Sequence, residues 1–220
     1  MIKLIIFDWD DVIIFGAKEG YYHCYKETLK ELGIVLDEKE IDKRIENTWG
    51  SIDRILRELL KENLNLMEKA SKVFYEKEFY GNAFVDSLQE MQGVNELLIR
   101  LKEKYKLAVA SGNKPDMIKD KIMPKFHIPN VFDQIVSVGD VSVGKSKPDP
   151  YMLQLILKTQ GVSNRQTLFV GDAKSDVLMA KNAGIEPVVV LTGLLSKAQA
   201  EALGVKHILS DVTKIEEILS

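Results

Sequence analysis

The chain has 220 residues, 45% of them hydrophobic and 29% charged, with a formal net charge of −3 and a pI near 5.7. That length carries one large domain, or one domain with a smaller one inserted, and the acidic balance leaves no basic footprint for nucleic acid. A single cysteine, Cys24, excludes an internal disulfide and argues against a cysteine-based zinc site.

The first apolar run, Ile2 to Phe7, is too short for the hydrophobic stretch of a signal peptide, and no small-residue cleavage site follows it. Nowhere do 18 apolar residues run together, so no membrane span is expected. One cysteine fits a reducing compartment, and the expectation is a cytoplasmic protein. Within the first run, Lys3–Phe7 reads as a buried parallel strand ended by Asp8. From Gly16 to about Gln89 no strand is convincing. The spacing predicts amphipathic helices over Tyr21–Leu32, Glu38–Asn47, Ser51–Glu62 and Leu66–Tyr80, punctuated by Gly33, Gly50 and Gly81. From about Val94 strands and helices alternate. Leu107–Ala110, Thr167–Val170 and Pro187–Leu191 read as buried strands, with Gln134–Val138 a weaker one. Met152–Thr159 and Asp176–Ala183 read as helices, followed by Gly161 and Gly184 where C-terminal stops belong.

A strand, a helical block and then an α/β alternation imply a Rossmann-like, doubly wound parallel sheet core (α/β) with an inserted α-helical cap domain. The boundaries are 1–15 and 90–220 for the α/β core and 16–89 for the helical cap.

Ligands of open parallel sheets bind outside the carboxyl ends of the strands. The first strand ends in Asp8-Trp9-Asp10-Asp11-Val12, the second in Ser111-Gly112-Asn113, and Thr167–Val170 in Gly171-Asp172-Ala173-Lys174-Ser175-Asp176; Lys145-Ser146-Lys147-Pro148-Asp149-Pro150 heads a helix. Acids, a hydroxyl and lysines thus gather at one edge. The set suits phosphoryl transfer, which needs a nucleophile, charge neutralisation and in-line positioning. Magnesium takes oxygen ligands with few protein carboxylates. Other readings stand beside these: Asp172 and Asp176 as a helix cap and a first-turn acid, Ser111 and Asn113 as turn residues, and Lys145 in place of Lys147 as the functional lysine.

The four motifs, in this order, resemble the haloacid dehalogenase superfamily, in its phosphatase branch with a helical cap (the phosphoglycolate phosphatase and β-phosphoglucomutase-like group). Asp8-Trp9-Asp10-Asp11-Val12 matches its first motif, Ser111 its second, Lys147-Pro148-Asp149-Pro150 its third and Gly171 to Asp176 its fourth. The resemblance implies Asp8 as nucleophile and Asp10 as general acid and base. It places Mg2+ on Asp8, the Asp10 backbone carbonyl and Asp172, with Asp176 acting from behind on the metal shell or Lys147. Ser111 and the Gly112 N–H would hold the phosphoryl group, with Asn113 a further candidate contact to substrate. The loop Thr48-Trp49-Gly50-Ser51 faces the site in related enzymes, and two readings stand for Arg54, just after it: a contact to a substrate carboxylate or second anion, or a surface arginine. The chain departs from the pattern at Asp11, where the family usually has glycine, and at Phe15-Gly16, where an Asp-Ser pair is common.

The implied activity is Mg2+-dependent hydrolysis of a small phosphorylated metabolite, of the phosphoglycolate or sugar phosphate class, through an aspartyl-phosphate on Asp8. The alternative is a β-phosphoglucomutase-like phosphosugar mutase. A non-hydrolytic phospho-receiver shares the acid pair, Ser and Lys, but the helical insertion and the Gly171–Asp176 motif argue against it; a silent binding module is disfavoured because every catalytic position is filled. Monomer and homodimer are both open.

Overall fold

In the computed structural model, residues 1–45, 48, 52–142 and 144–219 are described. The chain forms two compact units, residues 1–15 with 90–220, and residues 16–89.

The first unit is built on a six-stranded sheet. Its strands, numbered with the two-residue strands at which the chain leaves and re-enters this unit, are β1 (Leu4–Phe7), β2 (Ile14–Phe15), β3 (Gln89–Glu90), β4 (Lys106–Ser111), β5 (Gln134–Ser137), β6 (Thr167–Gly171), β7 (Glu186–Val190) and β8 (His207–Leu209). The sheet order is β5-β4-β1-β6-β7-β8, and every neighbouring pair is parallel. Leu4, Ile5, Ile6 and Phe7 are fully buried, as expected of a central strand covered on both faces. One face of the sheet packs Leu4, Ile6, Ala108, Ala110 and Phe169 against Met152, Leu153, Ile156, Met179 and Ala180 of the helices Tyr151–Gln160 and Lys174–Asn182.

The winding fixes where a site can form. From β1 the chain extends the sheet to one side through β4 and β5, then returns to β1's other edge with β6 and continues outward. Phe7 lies in register with Val109 of β4 and with Val170 of β6. Asp8, Ser111 and Asp172 therefore emerge just past the carboxyl ends of three adjacent strands at the point where the winding reverses, the position in which such sheets bind ligands.

The second unit is helical: Ala17–Glu31, Glu38–Ile45, Ile52–Leu59, Met67–Tyr80 and Asn82–Ser87. Tyr21 and Tyr25 fill its core against Phe84 and Phe74, with ring centroids 4.6 and 4.7 Å apart. Arg44 bonds Glu40 at 2.7 Å and Glu62 at 2.7 Å, joining the second helix to the segment after the third.

The five expected strands and six expected helices are present with ends shifted by a few residues. Among the elements that were not expected are these four. β8 is three residues long with one buried side chain, too short to show a period; β2 and β3 have two residues each; and Asn82–Ser87 follows Gly81, which the sequence marks as a stop. Glu46, Asn47, Trp49, Gly50 and Ser51, which include most of the expected substrate-facing loop, lie outside the described residues.

Candidate active site

Asp8 ends β1 in a tight turn. Its backbone N–H continues the ladder to the Val170 carbonyl at 2.8 Å, and its Oδ1 accepts the Trp9 N–H at 2.7 Å. The N–H groups of Val12, Ile13 and Ile14 all point to the Trp9 carbonyl, closing the loop in one turn. Asp11 sits in that turn at a φ of 55°. This is the left-handed region, which aspartate visits more readily than most side chains. The acid therefore fills a glycine-type position without distorting the turn.

Lys147 supplies the site's cation. Its Nζ lies 2.6 Å from Asp8 Oδ1 and 2.8 Å from Asp176 Oδ1, and the lysine side chain is only 8% exposed. Lys145 instead makes a 3.4 Å pair with Asp149 in solvent, so only Lys147 meets the carboxylates. Asp176 lies in the first turn of the helix Lys174–Asn182 and reaches back with Oδ2 to the N–H groups of Asp172, at 3.2 Å, and Ala173, at 3.0 Å. This is the back-bonding half of a capping box. It lets one carboxylate both close the helix terminus and hold Lys147. Gly171 makes room for it: a Cβ there would lie 2.6 Å from Asp176 Cγ.

Asp8, Asp172 and Asp176 are all buried and bring one carboxylate oxygen each within 4.8 Å of one another. Burial pushes the Asp8 carboxyl up to about 7; Lys147 opposes this, and the Asp176 and Asp10 charges add to it. Burial, then Asp176 and Asp8, hold Asp172 well above the usual carboxylate range, against the Leu194 N–H. Burial also works against the charge of Lys147, but Asp176 and Asp8 outweigh it and hold the ammonium above the ordinary lysine range. Three buried carboxylates thus face one ammonium. The set is short of positive charge and offers only oxygen donors, the chemistry of a site for a hard divalent cation.

Asp10 does not join that trio through its side chain. Asn113 Nδ2 lies 3.0 and 3.1 Å from its two oxygens. Asn113 is itself 1% exposed, its backbone N–H donating to Ser111 Oγ at 3.0 Å. Sequence reading left Asn113 between a substrate contact and a turn residue; here its side-chain N–H donates to Asp10. Gly112 is the exposed turn between Ser111 and Asn113, with nothing within 4 Å of where a Cβ would stand.

The first unit thus brings together Asp8, Asp10, Ser111, Gly112, Asn113, Lys147, Asp172 and Asp176. Arg54 belongs to the helical unit, on the exposed side of Ile52–Leu59 opposite the buried Ile55, Leu56 and Leu59. Sequence reading missed the loop after β7. There Leu194 N–H donates to Asp172 Oδ2 at 2.9 Å and Thr192 Oγ1 donates to the Asp11 carbonyl. A Thr-Gly pair directly after a predicted strand was the available signal.

The sequence profile of the haloacid dehalogenase-like hydrolases matches residues 5–190. A phosphoglycolate phosphatase of Aquifex aeolicus is 31% identical over 192 residues, 87% of this chain and 85% of its own length. A phosphorylated carbohydrates phosphatase of Thermotoga maritima is 31% identical over 225 residues, covering 99% of this chain and 97% of its own. A solved Thermotoga maritima structure, provisionally called a β-phosphoglucomutase, superposes with a TM-score of 0.74 at 26% identity, over 99% of this chain and 98% of that one.

Proposed function

The chain belongs to the haloacid dehalogenase-like hydrolases, in their phosphatase branch, and from that premise we propose that it hydrolyses a small phosphorylated metabolite, of the phosphoglycolate or sugar phosphate class, through an aspartyl-phosphate on Asp8. The observation that carries this reading is the buried Asp8–Lys147–Asp176 bridge, 2.6 and 2.8 Å, at the carboxyl ends of adjacent parallel strands.

The Asp8 carboxylate attacks phosphorus. As the bond to the leaving oxygen breaks, that oxygen takes a proton from Asp10. Water then attacks the phosphorus of the acyl phosphate, giving its proton to Asp10, and the bond to Asp8 breaks to restore the carboxylate. Asn113 holds both oxygens of Asp10, so the acid/base group keeps its direction through the two half-reactions. Ser111 Oγ accepts the Asn113 N–H and keeps its own proton to donate to a phosphoryl oxygen. Lys147 offsets charge on Asp8 and on the transferring group, and Asp176 keeps the lysine in place. Asp8, the Asp10 carbonyl and Asp172 would hold magnesium, which supplies charge neutralisation and in-line orientation of the phosphoryl group. The helical unit, residues 16–89, would act as a cap over bound substrate, with Arg54 a candidate contact to a second anion of the metabolite.

The test measures inorganic phosphate released from p-nitrophenyl phosphate and from a panel including phosphoglycolate and hexose phosphates, in magnesium and in EDTA, for wild type and Asp8→Asn. Release that needs both magnesium and Asp8 supports the proposal. No release from any substrate would sink it. The T. maritima structure gives a second reading a foothold: isomerisation of a hexose phosphate without phosphate release, dependent on a bisphosphate, would make the chain a mutase.

A further inference from the structure

Asp172 stands where β6 turns into the helix Lys174–Asn182, and its own strand fixes only its backbone. What fixes its carboxylate is a different segment, the loop Leu191–Leu195 that follows β7. Leu194 N–H donates to Asp172 Oδ2 at 2.9 Å, and Leu195 N–H donates to the Asp172 carbonyl at 2.9 Å. Between Thr192 and Leu194, Gly193 lies flush on the same side chain. A Cβ on Gly193 would fall 2.6 Å from Asp172 Cβ and closer still to its carboxylate. The φ of Gly193 is outside the left-handed region, so any residue could adopt its backbone; the demand for glycine is purely one of space. Thr192 Oγ1 donates to the carbonyl of Asp11, in the turn that carries Asp8 and Asp10. Leu195 anchors the loop by packing with Val177, Val189, Ala200 and Val205.

Three residues, Leu194, Leu195 and Thr192, thus grip in turn the Asp172 carboxylate, the Asp172 backbone and the turn after Asp10. We propose that Thr192-Gly193-Leu194 is a positioning element of the metal site: with Oδ2 held by Leu194, the direction in which Asp172 presents Oδ1 is set, and Thr192 sets the spacing between the two loops that supply ligands. None of the three side chains needs to touch the ion. The inference rests on Asp172 being a magnesium ligand, as read above. Groups that orient a ligand from behind are worth roughly 10–100-fold in metal affinity.

The test is calorimetric titration of Mg2+ into wild type, Gly193→Ala, Thr192→Val and Gly161→Ala, with folding checked by circular dichroism and urea midpoints in EDTA. Gly161 has a φ of 64° and nothing within 4 Å of a Cβ, so its substitution strains the backbone away from the site. Gly193→Ala should weaken magnesium binding about 10-fold or more and Thr192→Val several-fold, with kcat recovering at saturating magnesium and KM for the phosphoester little changed; Gly161→Ala should lower the urea midpoint and leave the magnesium Kd alone. On an Asp172→Asn background, Gly193→Ala should add no further loss, since the oxygen it displaces is already compromised. A folded Gly193→Ala with wild-type affinity would overturn the inference. Should that variant not fold, an unchanged Kd in Thr192→Val would overturn it equally. No magnesium binding by wild type would defeat the metal reading itself, and this inference with it.

Discussion

In EDTA this protein should lose stability as pH rises, the reverse of ordinary acid denaturation. Asp8 has a folded value of about 7 against 3.8 for the solvent-exposed reference group, raised chiefly by burial. Between those values the folded state binds more protons than the unfolded chain, so stability falls with pH through that window and levels off above about 7. For Asp8 alone the loss between pH 5 and pH 7.5 is about 3 kcal/mol, and Asp172 pushes in the same direction. In a chain of this size that corresponds to a fall in Tm of roughly 5–10 °C. Asp133, lowered against burial by Lys102, the Leu107 N–H and Lys106, and Glu216, held low by Arg100, are largely ionised across this range in both states and add only a small slope of the opposite sign near pH 5. The assay is urea unfolding followed by circular dichroism from pH 5 to 7.5 in EDTA, for wild type and Asp8→Asn, repeated with magnesium. Wild type in EDTA should weaken with pH, Asp8→Asn should be flatter by about 3 kcal/mol, and magnesium should remove most of the slope by favouring the ionised carboxylates. Stability that is flat or rises with pH in EDTA, or a slope untouched in Asp8→Asn, would refute the electrostatic account of the site.

Three further outcomes follow from the same geometry. Lys147→Met leaves Asp8 and Asp176 without their shared cation; at pH 7.5 in EDTA it should cost about 3–5 kcal/mol by urea unfolding, less at pH 5, and lower turnover at least about 100-fold. Asn113→Ala should lower kcat by roughly 10-fold or more with little change in KM, read by steady-state kinetics, because the amide orients Asp10 rather than binding substrate; a KM effect alone would return Asn113 to a substrate-binding role. Cys24 is buried with its thiol pushed up to about 12, burial first and Glu78 second, so a thiol reagent should leave the native protein unlabelled and react only on unfolding.

The sheet was legible in the sequence because strands buried on both faces have no choice but to be apolar throughout. Leu4–Phe7 and Thr167–Val170 announce themselves for that reason, while His207–Leu209 at the sheet edge does not. The motifs at strand ends were legible because chemistry there needs particular side chains at particular offsets, as with Asp172 and Asp176. The choice between Lys145 and Lys147 was not, since both precede the same helix and only the fold turns one of them inward. Asn113 shows the limit more sharply. Its type and place left a substrate contact and a turn residue both open; its partner Asp10 lies in the turn after another strand, and no local spacing reveals a pairing between two such turns. The loop Thr192–Leu195 escaped because its hold on Asp172 itself is made by the backbone N–H groups of Leu194 and Leu195, which every residue but proline carries.

β1 is made first and finished last. Its edges pair with β4 and β6, strands that come after the whole helical unit in the chain. During synthesis Asp8 leaves the ribosome early but has no Lys147 or Asp172 to meet until most of the polypeptide has followed. The contiguous helical segment can close its local contacts meanwhile, whereas the central strand must wait for distant partners, a long-range closure that slows folding. A truncated or stalled chain therefore presents an apolar tetrapeptide followed by an unpaired Asp8, and the buried cluster of Asp8, Asp172 and Asp176 assembles only with the final topology.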